Sequence, residues 1–186
     1  MYNGELLFLH LFHRSVTLTL SAEQLRTIAA QAETAYPHEC CGLLLGQVAV
    51  EGWLVTQVWP VPNDWDPQVA AEMGMDADLT SERRYWIAPQ EMLAAIRHAR
   101  SQGVEVIGVY HSHPNHPAVP SECDRQMAWP NYVYVIASLA AGKIDQIRAW
   151  GLDSQRRFNM IKILKIDSDS DQSEVTMGAD GPVTLF

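Results

Sequence analysis

Residues 110–124, "YHSHPNHPAVPSECD", combine three histidines and an aspartate with three prolines, directly after the apolar run "VEVIGV". His111 and His113 are two positions apart at the end of a predicted strand. Their side chains should therefore leave the same face, with Cα atoms roughly 6–7 Å apart. Two imidazoles at that spacing can converge on one metal ion, and Asp124 is the candidate third ligand. Because catalytic zinc takes three protein ligands and keeps a fourth position open for water, the stretch predicts one zinc ion per chain.

Ordinary structure explains part of this stretch. Ser121-x-x-Asp124 is also a plausible helix N-terminus, with Ser121 as the cap and Asp124 favourable in the first turn. Capping and catalysis are compatible, so both roles stay open for Ser121. Pro114, Pro117 and Pro120 stiffen the loop and lower the entropy lost in fixing its geometry. Ordinary structure does not explain why the histidine pair and the aspartate share one short loop after a buried strand.

The stretch "HSHPNHPAVPSECD" resembles the signature His-x-His-Pro-x6-Ser-x2-Asp of the JAMM (MPN-plus) metalloproteases at every defined position. Upstream, "HECCGLLLG" is similar to the strand that supplies the glutamate of that family. The resemblance extends over residues 15–150. It implies a cytidine-deaminase-like JAMM fold of the α/β class, with a mixed curved β-sheet flanked by helices.

The resemblance also implies a role for each matching residue. His111, His113 and Asp124 would be the zinc ligands, Glu39 would be the general base that acts on the attacking water, and Ser121 would donate a hydrogen bond to the developing oxyanion. Elementary chemistry is consistent with this division. One carboxylate and two neutral imidazoles leave the metal site net positive, a nearby carboxylate can carry a proton to the leaving amine, and a hydroxyl on a rigid turn is a preorganised dipole.

The spacing after the aspartate indicates a branch of the family. The eukaryotic deubiquitinating members carry an insertion at this point, whereas only "RQMAWPN" separates Asp124 from the next predicted strand. That resembles the compact prokaryotic branch, whose members act on ubiquitin-like β-grasp sulfur-carrier proteins. The scissile bond there follows a C-terminal Gly-Gly, and the product beyond it can be a single amino acid such as cysteine. Residues 63–83 are then a candidate wall of the groove for the extended C-terminus, which would add as a strand to an exposed edge.

Three other functions compete with a hydrolase. A non-catalytic MPN-like assembly module would lack the metal ligands, which this sequence retains. A RadC-like protein shares the JAMM-type motif but is associated with DNA; the net charge of −9 and the pI of about 5.1 disfavour phosphate-binding and membrane surfaces. A structural zinc domain would close the fourth position with cysteine or histidine.

Other reactive side chains are predicted to be structural. Cys40 and Cys41 are adjacent on a strand and point to opposite faces, so they cannot share one site. Cys123 would lie about 100° around a helix from the neighbouring aspartate. His38 and His116 are expected to be solvent-exposed loop residues.

The length of 186 residues and the apolar content of 47% predict one domain, residues 1–166, followed by an acidic tail, residues 167–186. An odd number of cysteines, three, indicates a reducing cytosol. The run "LLFLHLF" near the start lacks a basic region before it and a small-residue cleavage site after it, and no apolar run reaches about eighteen residues. We therefore expect a cytoplasmic protein with no nucleic-acid or membrane partner; a homodimer is left open.

The patterns of apolar and turn-forming residues predict the elements that position these groups. Helices are predicted from the Ser21 capping box to Pro37, from Pro89 to Gly103, and over 121–129, and residues 63–83 are predicted to be an irregular insertion or lid. The predicted strands cover 15–20, 39–46, 52–62, 84–88, 104–110, 132–139, 143–150 and 158–166.

Overall fold

The computed structural model describes residues 16–72, 74 and 80–166. In chain order, strands β1 to β7 are Thr17–Ser21, Cys41–Ala49, Gly52–Val61, Glu105–Pro114, Val133–Ala140, Lys143–Leu152 and Phe158–Ile166. Helices α1 to α4 are Ala22–Ala35, Pro67–Glu72, Pro89–Ser101 and Glu122–Met127.

The sheet is mixed and closes on itself in the order β1-β3-β2-β4-β5-β6-β7. Strand β1 runs parallel to both β3 and β7, strands β4 and β5 are parallel, and the other neighbours are antiparallel. A hairpin across residues 140–142 joins β5 and β6, whose adjacent predicted strands, 132–139 and 143–150, indicate one. The α/β class and the mixed curved sheet are confirmed, and the curvature extends to closure because β7 reaches β1.

Helix α1 packs on one face of this sheet. Its N-terminus has the predicted capping box, in which the Ser21 hydroxyl accepts from the backbone of Gln24 while the Gln24 side chain accepts from the backbone of Ser21. Ile28 and Ala32 are fully buried in a cluster with Leu44 and other strand residues. The helix ends before Pro37, as the sequence predicts.

Helix α3 packs on the other face, beside β2 and β4. Pro89 occupies its first turn, and the fully buried Ala95 lies against strand residues that include Leu43 and Val109. The helical spacing of the apolar residues predicts that Met92, Leu93, Ile96 and Ala99 share the inner face, but for Leu93 this is wrong, because its side chain is 47% exposed. It instead borders the groove described below.

Strand β4 is longer than predicted. The sequence predicts an end at residue 110, but pairing with β2 includes His111, and pairing with β5 continues through Pro114. His111 is therefore paired on both sides and His113 on the β5 side, so ladder hydrogen bonds fix the backbone of both residues.

Two predictions for the region between β3 and α3 are wrong. Residues 84–88 are not a strand of the sheet, although their aromatic and branched side chains favour one. The strands of the described chain close without this segment, which has no regular secondary structure and is held by hydrogen bonds to the side chain of Asn63. Residues 63–83 are not wholly irregular, since they contain the short helix α2.

Among the described residues, no helix has the length and apolar character needed to cross a membrane. The apolar run at residues 6–12 and the predicted acidic tail, 167–186, lie outside the residues that the structure describes.

Candidate metal and catalytic site

The two histidines project from the face of β4 that also carries Val109, towards α3. His111 is 1% exposed and His113 is 7% exposed. Ser112, between them, points to the opposite face, where its hydroxyl accepts a hydrogen bond from the backbone N–H of Cys40 at 2.8 Å. The alternation of the strand thus places both imidazoles on one side, as the spacing predicts.

The structure brings His111, His113 and Asp124 together. The two Nε2 atoms are 3.0 Å apart, and the carboxylate oxygens of Asp124 lie 3.3 Å from Nε2 of His111 and 3.8 Å from Nε2 of His113. Donor atoms arranged tetrahedrally around one zinc ion at its usual bond lengths are about 3.3–3.5 Å apart. The spacing of the three donors, and their two-nitrogen, one-oxygen composition, therefore fit a single zinc ion.

The protonation of the histidines suits metal ligation. Nδ1 of His113 donates to the carbonyl oxygen of Pro117 at 2.8 Å, which leaves a lone pair on Nε2. Burial lowers the pKa of His111 to about 4, although the charge of Asp124 acts in the opposite direction. Burial also lowers the pKa of His113. Both rings are accordingly neutral at pH 7, the form in which imidazole binds a metal.

Helix α4 orients the aspartate through its N-cap. The backbone N–H of Ser121 donates to Oδ2 of Asp124 at 2.6 Å, and the Ser121 hydroxyl accepts from the backbone N–H of Asp124 at 3.2 Å. Burial acts to raise the pKa of Asp124, but His111 and the hydrogen bonds from Ser121 hold it below its ordinary value overall. The predicted cap is therefore present, and it ties the Ser121 side chain to the aspartate.

Glu39 lies immediately before β2, only 6% exposed, and borders the same cavity as His113 and Asp124. Burial, and then the charge of Asp124, raise the pKa of Glu39 well above its ordinary value; Arg84 and Arg83 act in the opposite direction. A carboxylate whose pKa is raised towards neutrality is suited to accept and return a proton.

Asn63, two residues after β3, connects Glu39 to segment 84–88. Its side-chain N–H groups donate to the carbonyl oxygens of Glu39 and Arg84, each at 2.9 Å. Its side-chain oxygen accepts from the backbone N–H groups of Trp65 and Trp86, each at 3.1 Å. One amide thus satisfies backbone groups of three chain segments. The sequence indicates only a polar residue in a turn at this position.

Tyr85 makes a second contact that the sequence does not reveal. The predicted strand over residues 84–88 indicated no particular neighbour for its ring. Its ring stacks on that of His111 with centroids 4.5 Å apart and planes 23° apart. Nδ1 of His111 has no hydrogen-bond partner among the described residues. Stacking on Tyr85 therefore orients the ring of His111, whereas a hydrogen bond to Pro117 orients the ring of His113.

A groove of about 910 Å³ opens over the site. Its walls are mainly apolar and include Trp65, Trp86, Met92, Leu93 and Trp129. The predicted site residues that border it are Glu39, His113, Ser121 and Asp124. His111 does not border the groove; its ring stacks on that of Tyr85, which does.

The remaining reactive residues are placed largely as predicted. Cys40 and Cys41 are both buried, and burial raises the pKa of the Cys40 thiol to about 11. His116 is exposed at the groove margin, and His38 is exposed and bonded to the Ser81 hydroxyl. Cys123 borders the groove but does not belong to the cluster of converging donors.

The fold and the site together define a mixed α/β protein with a candidate metal-hydrolase centre. The family model described as prokaryotic homologs of the JAB domain matches residues 21–153. The chain belongs to this family and is a hydrolase of the JAB type, which confirms the resemblance to JAMM proteins.

Individual relatives agree with this assignment. A desampylase of Haloferax volcanii is 35% identical over 129 residues, which cover 67% of this chain and 82% of the relative. A "Probable TtuB-protein conjugate cleaving protease" of Thermus thermophilus is 31% identical over 100 residues, 54% of this chain and 55% of that protein. The solution structure of a Desulfitobacterium hafniense protein superposes with a TM-score of 0.67 at 27% identity, covering 82% of this chain and 94% of the other.

Proposed function

We propose that the protein is a zinc-dependent peptidase or isopeptidase that hydrolyses the bond after the C-terminal Gly-Gly of a ubiquitin-like β-grasp carrier protein. The observation that carries this proposal is the convergence of His111, His113 and Asp124 beside a groove that His113, Asp124 and Glu39 border. The names of two relatives, a desampylase and a protease for TtuB-protein conjugates, support this substrate class.

His111, His113 and Asp124 would hold the zinc ion, which when bound lowers the pKa of a water molecule and polarises a carbonyl group. Glu39 would accept a proton from the attacking water and return it to the leaving amine as the carbon–nitrogen bond breaks. The Ser121 hydroxyl, fixed by the N-cap of α4, would donate to the oxygen that becomes negative in the transition state. The products are the carrier with a free C-terminal carboxylate and an amine.

Segment 84–88 supports a binding mode for the carrier's C-terminal tail. The carbonyl oxygen of Arg84 and both backbone polar groups of Trp86 bond to Asn63 and Asp64. Tyr85 and Ile87 line the groove, and with the alternation of a strand their backbone groups would face it. A tail in extended conformation would pair with them as an added strand. Trp65 and Arg83 also line the groove, so residues 63–83 form part of its wall as the sequence predicts, while segment 84–88 would supply the pairing edge.

The test compares a folded β-grasp carrier extended beyond its Gly-Gly with an unstructured peptide of the same terminal sequence. We expect the carrier to be cut with the higher kcat/KM, since binding energy remote from the scissile bond is used to position it. Mass spectrometry of the products identifies the bond, and the Glu39→Gln protein controls for a contaminating protease. Equal kcat/KM for carrier and peptide would contradict the proposed substrate class.

The same assay separates the competing functions. A non-catalytic assembly module or a DNA-associated protein would cut neither substrate, and a structural zinc domain would bind zinc without turnover. Zinc analysis of the purified protein, in parallel with the cleavage assay, therefore distinguishes all of them from a hydrolase.

A further inference from the structure

Two arginines border the groove beside Glu39. Arg83 is exposed and Arg84 is half-buried, and both line the cavity. Neither forms an ion pair with a described residue, and the side chain of Arg84 bonds only to the carbonyl oxygen of Arg83. Their charges act on the buried carboxyl of Glu39, but no described carboxylate forms an ion pair with either guanidinium, so at the mouth of an apolar groove both can receive an external anion.

The position of Arg84 relative to Glu39 is fixed by the backbone. The Asn63 side chain donates to the carbonyl oxygens of both residues at 2.9 Å. The backbone N–H of Glu39 also donates to the carbonyl oxygen of Ser81 at 2.8 Å, in the same turn that leads to Arg83. The arginines and the glutamate therefore keep their relative positions through three hydrogen bonds.

The proposed function places the leaving amine next to Glu39, because this carboxylate returns the proton to it. If that amine is the α-amine of a single C-terminal amino acid, a carboxylate is attached to the same α-carbon and lies within reach of a neighbouring guanidinium. If the amine is the ε-amine of a lysine, the whole side chain separates it from the lysine backbone, and no anion accompanies it. A guanidinium beside the base thus distinguishes these two leaving groups, since its planar fork matches a carboxylate.

We propose, on the basis of the proposed function, that Arg84 with support from Arg83 forms a subsite for the α-carboxylate of the leaving amino acid. The preferred substrate is then a carrier extended beyond Gly-Gly by one residue with a free carboxylate, in preference to an isopeptide conjugate.

The test uses one β-grasp carrier in three forms. In the first, alanine with a free carboxylate follows the Gly-Gly; in the second, the same alanine is amidated; in the third, the Gly-Gly is joined to the ε-amine of an acetylated, amidated lysine. The enzymes are the wild type, Arg84→Gln and, as a matched control for charge, Arg26→Gln on the exposed face of α1. Zinc content and Tm are measured for each protein.

We expect wild type and Arg26→Gln to cut the free acid with kcat/KM roughly 10- to 100-fold above the amide, the usual size of a charge-assisted hydrogen bond. In Arg84→Gln this ratio should fall close to one. Because the ratio compares two substrates on the same enzyme, it is independent of any change that the substitution makes at Glu39.

Equal cleavage of the acid and the amide by the wild type, or an unchanged ratio in Arg84→Gln, would overturn the carboxylate subsite while leaving the hydrolase intact. Efficient cleavage of the isopeptide form alone would do the same. Failure of the zinc-loaded wild type to cut any of the three forms would instead overturn the proposed function.

Discussion

The two sides of the site are built in different ways. One side, His111, His113 and Asp124, comes from a single stretch of chain that passes from a paired strand through a short loop into α4. The opposite side, Glu39 and Arg84, comes from chain segments far apart in sequence, and the side chain of Asn63 joins them.

This difference predicts different responses to mutation. The metal side is held by the ladders of β4 with β2 and β5 and by the cap of α4, so its side chains can change while the backbone stays in place. The opposite side is joined by the amide of Asn63 and one backbone hydrogen bond from Glu39 to Ser81, so a change of Asn63 should displace the base and the groove wall without removing the metal. The following predictions test this contrast, in order of decreasing expected effect.

The largest effect is expected for His111→Ala combined with His113→Ala. Two of three ligands are then lost, so zinc should fall from one per chain to none and cleavage to background. The domain should remain folded, because ladder hydrogen bonds hold the backbone of both residues. Metal analysis and circular dichroism measure the two results.

His116→Ala, in the same loop, is the matched control and should retain its zinc. A double variant that still bound one zinc ion per chain would show that the ligand assignment is incorrect.

The second prediction concerns Glu39→Gln, which keeps the size of the side chain but cannot take a proton. Turnover should fall by roughly 10²–10⁴, the usual effect of removing a positioned base. Zinc content and Tm should stay near wild type, since Glu39 is not among the converging donors. Glu23→Gln, exposed in the first turn of α1, controls for the loss of one charge.

Loss of zinc from Glu39→Gln would make this residue a ligand. Unchanged turnover on a verified substrate would remove it from the mechanism.

The third prediction is for Ser121→Ala. Loss of the oxyanion donor should lower kcat by roughly 10²–10³. Loss of the N-cap should also cost about 1 kcal/mol, or a Tm lower by about 2–4 °C in a domain of this size. Zinc should be retained, because the bond from the backbone N–H of Ser121 to Asp124 survives.

Ser121→Thr keeps both the hydroxyl and the cap, and it should restore most of the activity. A Ser121→Ala protein with lower Tm but normal kcat would limit this residue to its role as a helix cap.

The same contrast explains what the sequence could predict. The histidine pair, the capping box at Ser21 and the helix cap at Ser121 depend on contacts within a few residues, and the structure has their local geometry as predicted. A hairpin such as β5–β6 is local in the same sense. Short-range spacing therefore carries this information in full.

Long-range contacts account for the predictions from sequence that are wrong. Residues 84–88 have strand-like side chains, but parallel pairing of β7 with β1 closes the sheet without them. Tyr85 reaches His111 only because of that outcome, and no spacing in the sequence indicates the contact. Leu93 follows the helical period of α3 but borders a groove that the period does not reveal.

The smallest expected effect on turnover, and the sharpest test of the contrast, is that of Asn63→Asp. The new carboxylate can still accept from Trp65 and Trp86, but it no longer donates to the carbonyl oxygens of Glu39 and Arg84. Each carbonyl left without its partner costs about 1–3 kcal/mol, and each kcal/mol lowers Tm by about 2–4 °C. We expect kcat to fall roughly tenfold with full zinc content, since a displacement of about 1 Å can cost up to about 10²-fold.

Asn131→Asp, an exposed change of the same kind, should have neither effect. In a Glu39→Gln background, Asn63→Asp should still lower Tm but should change the residual kcat far less, because the base that it positions is absent. An equal loss of kcat in both backgrounds would mean that Asn63 only stabilises the fold, and a loss of zinc would mean that the two sides of the site are not independent.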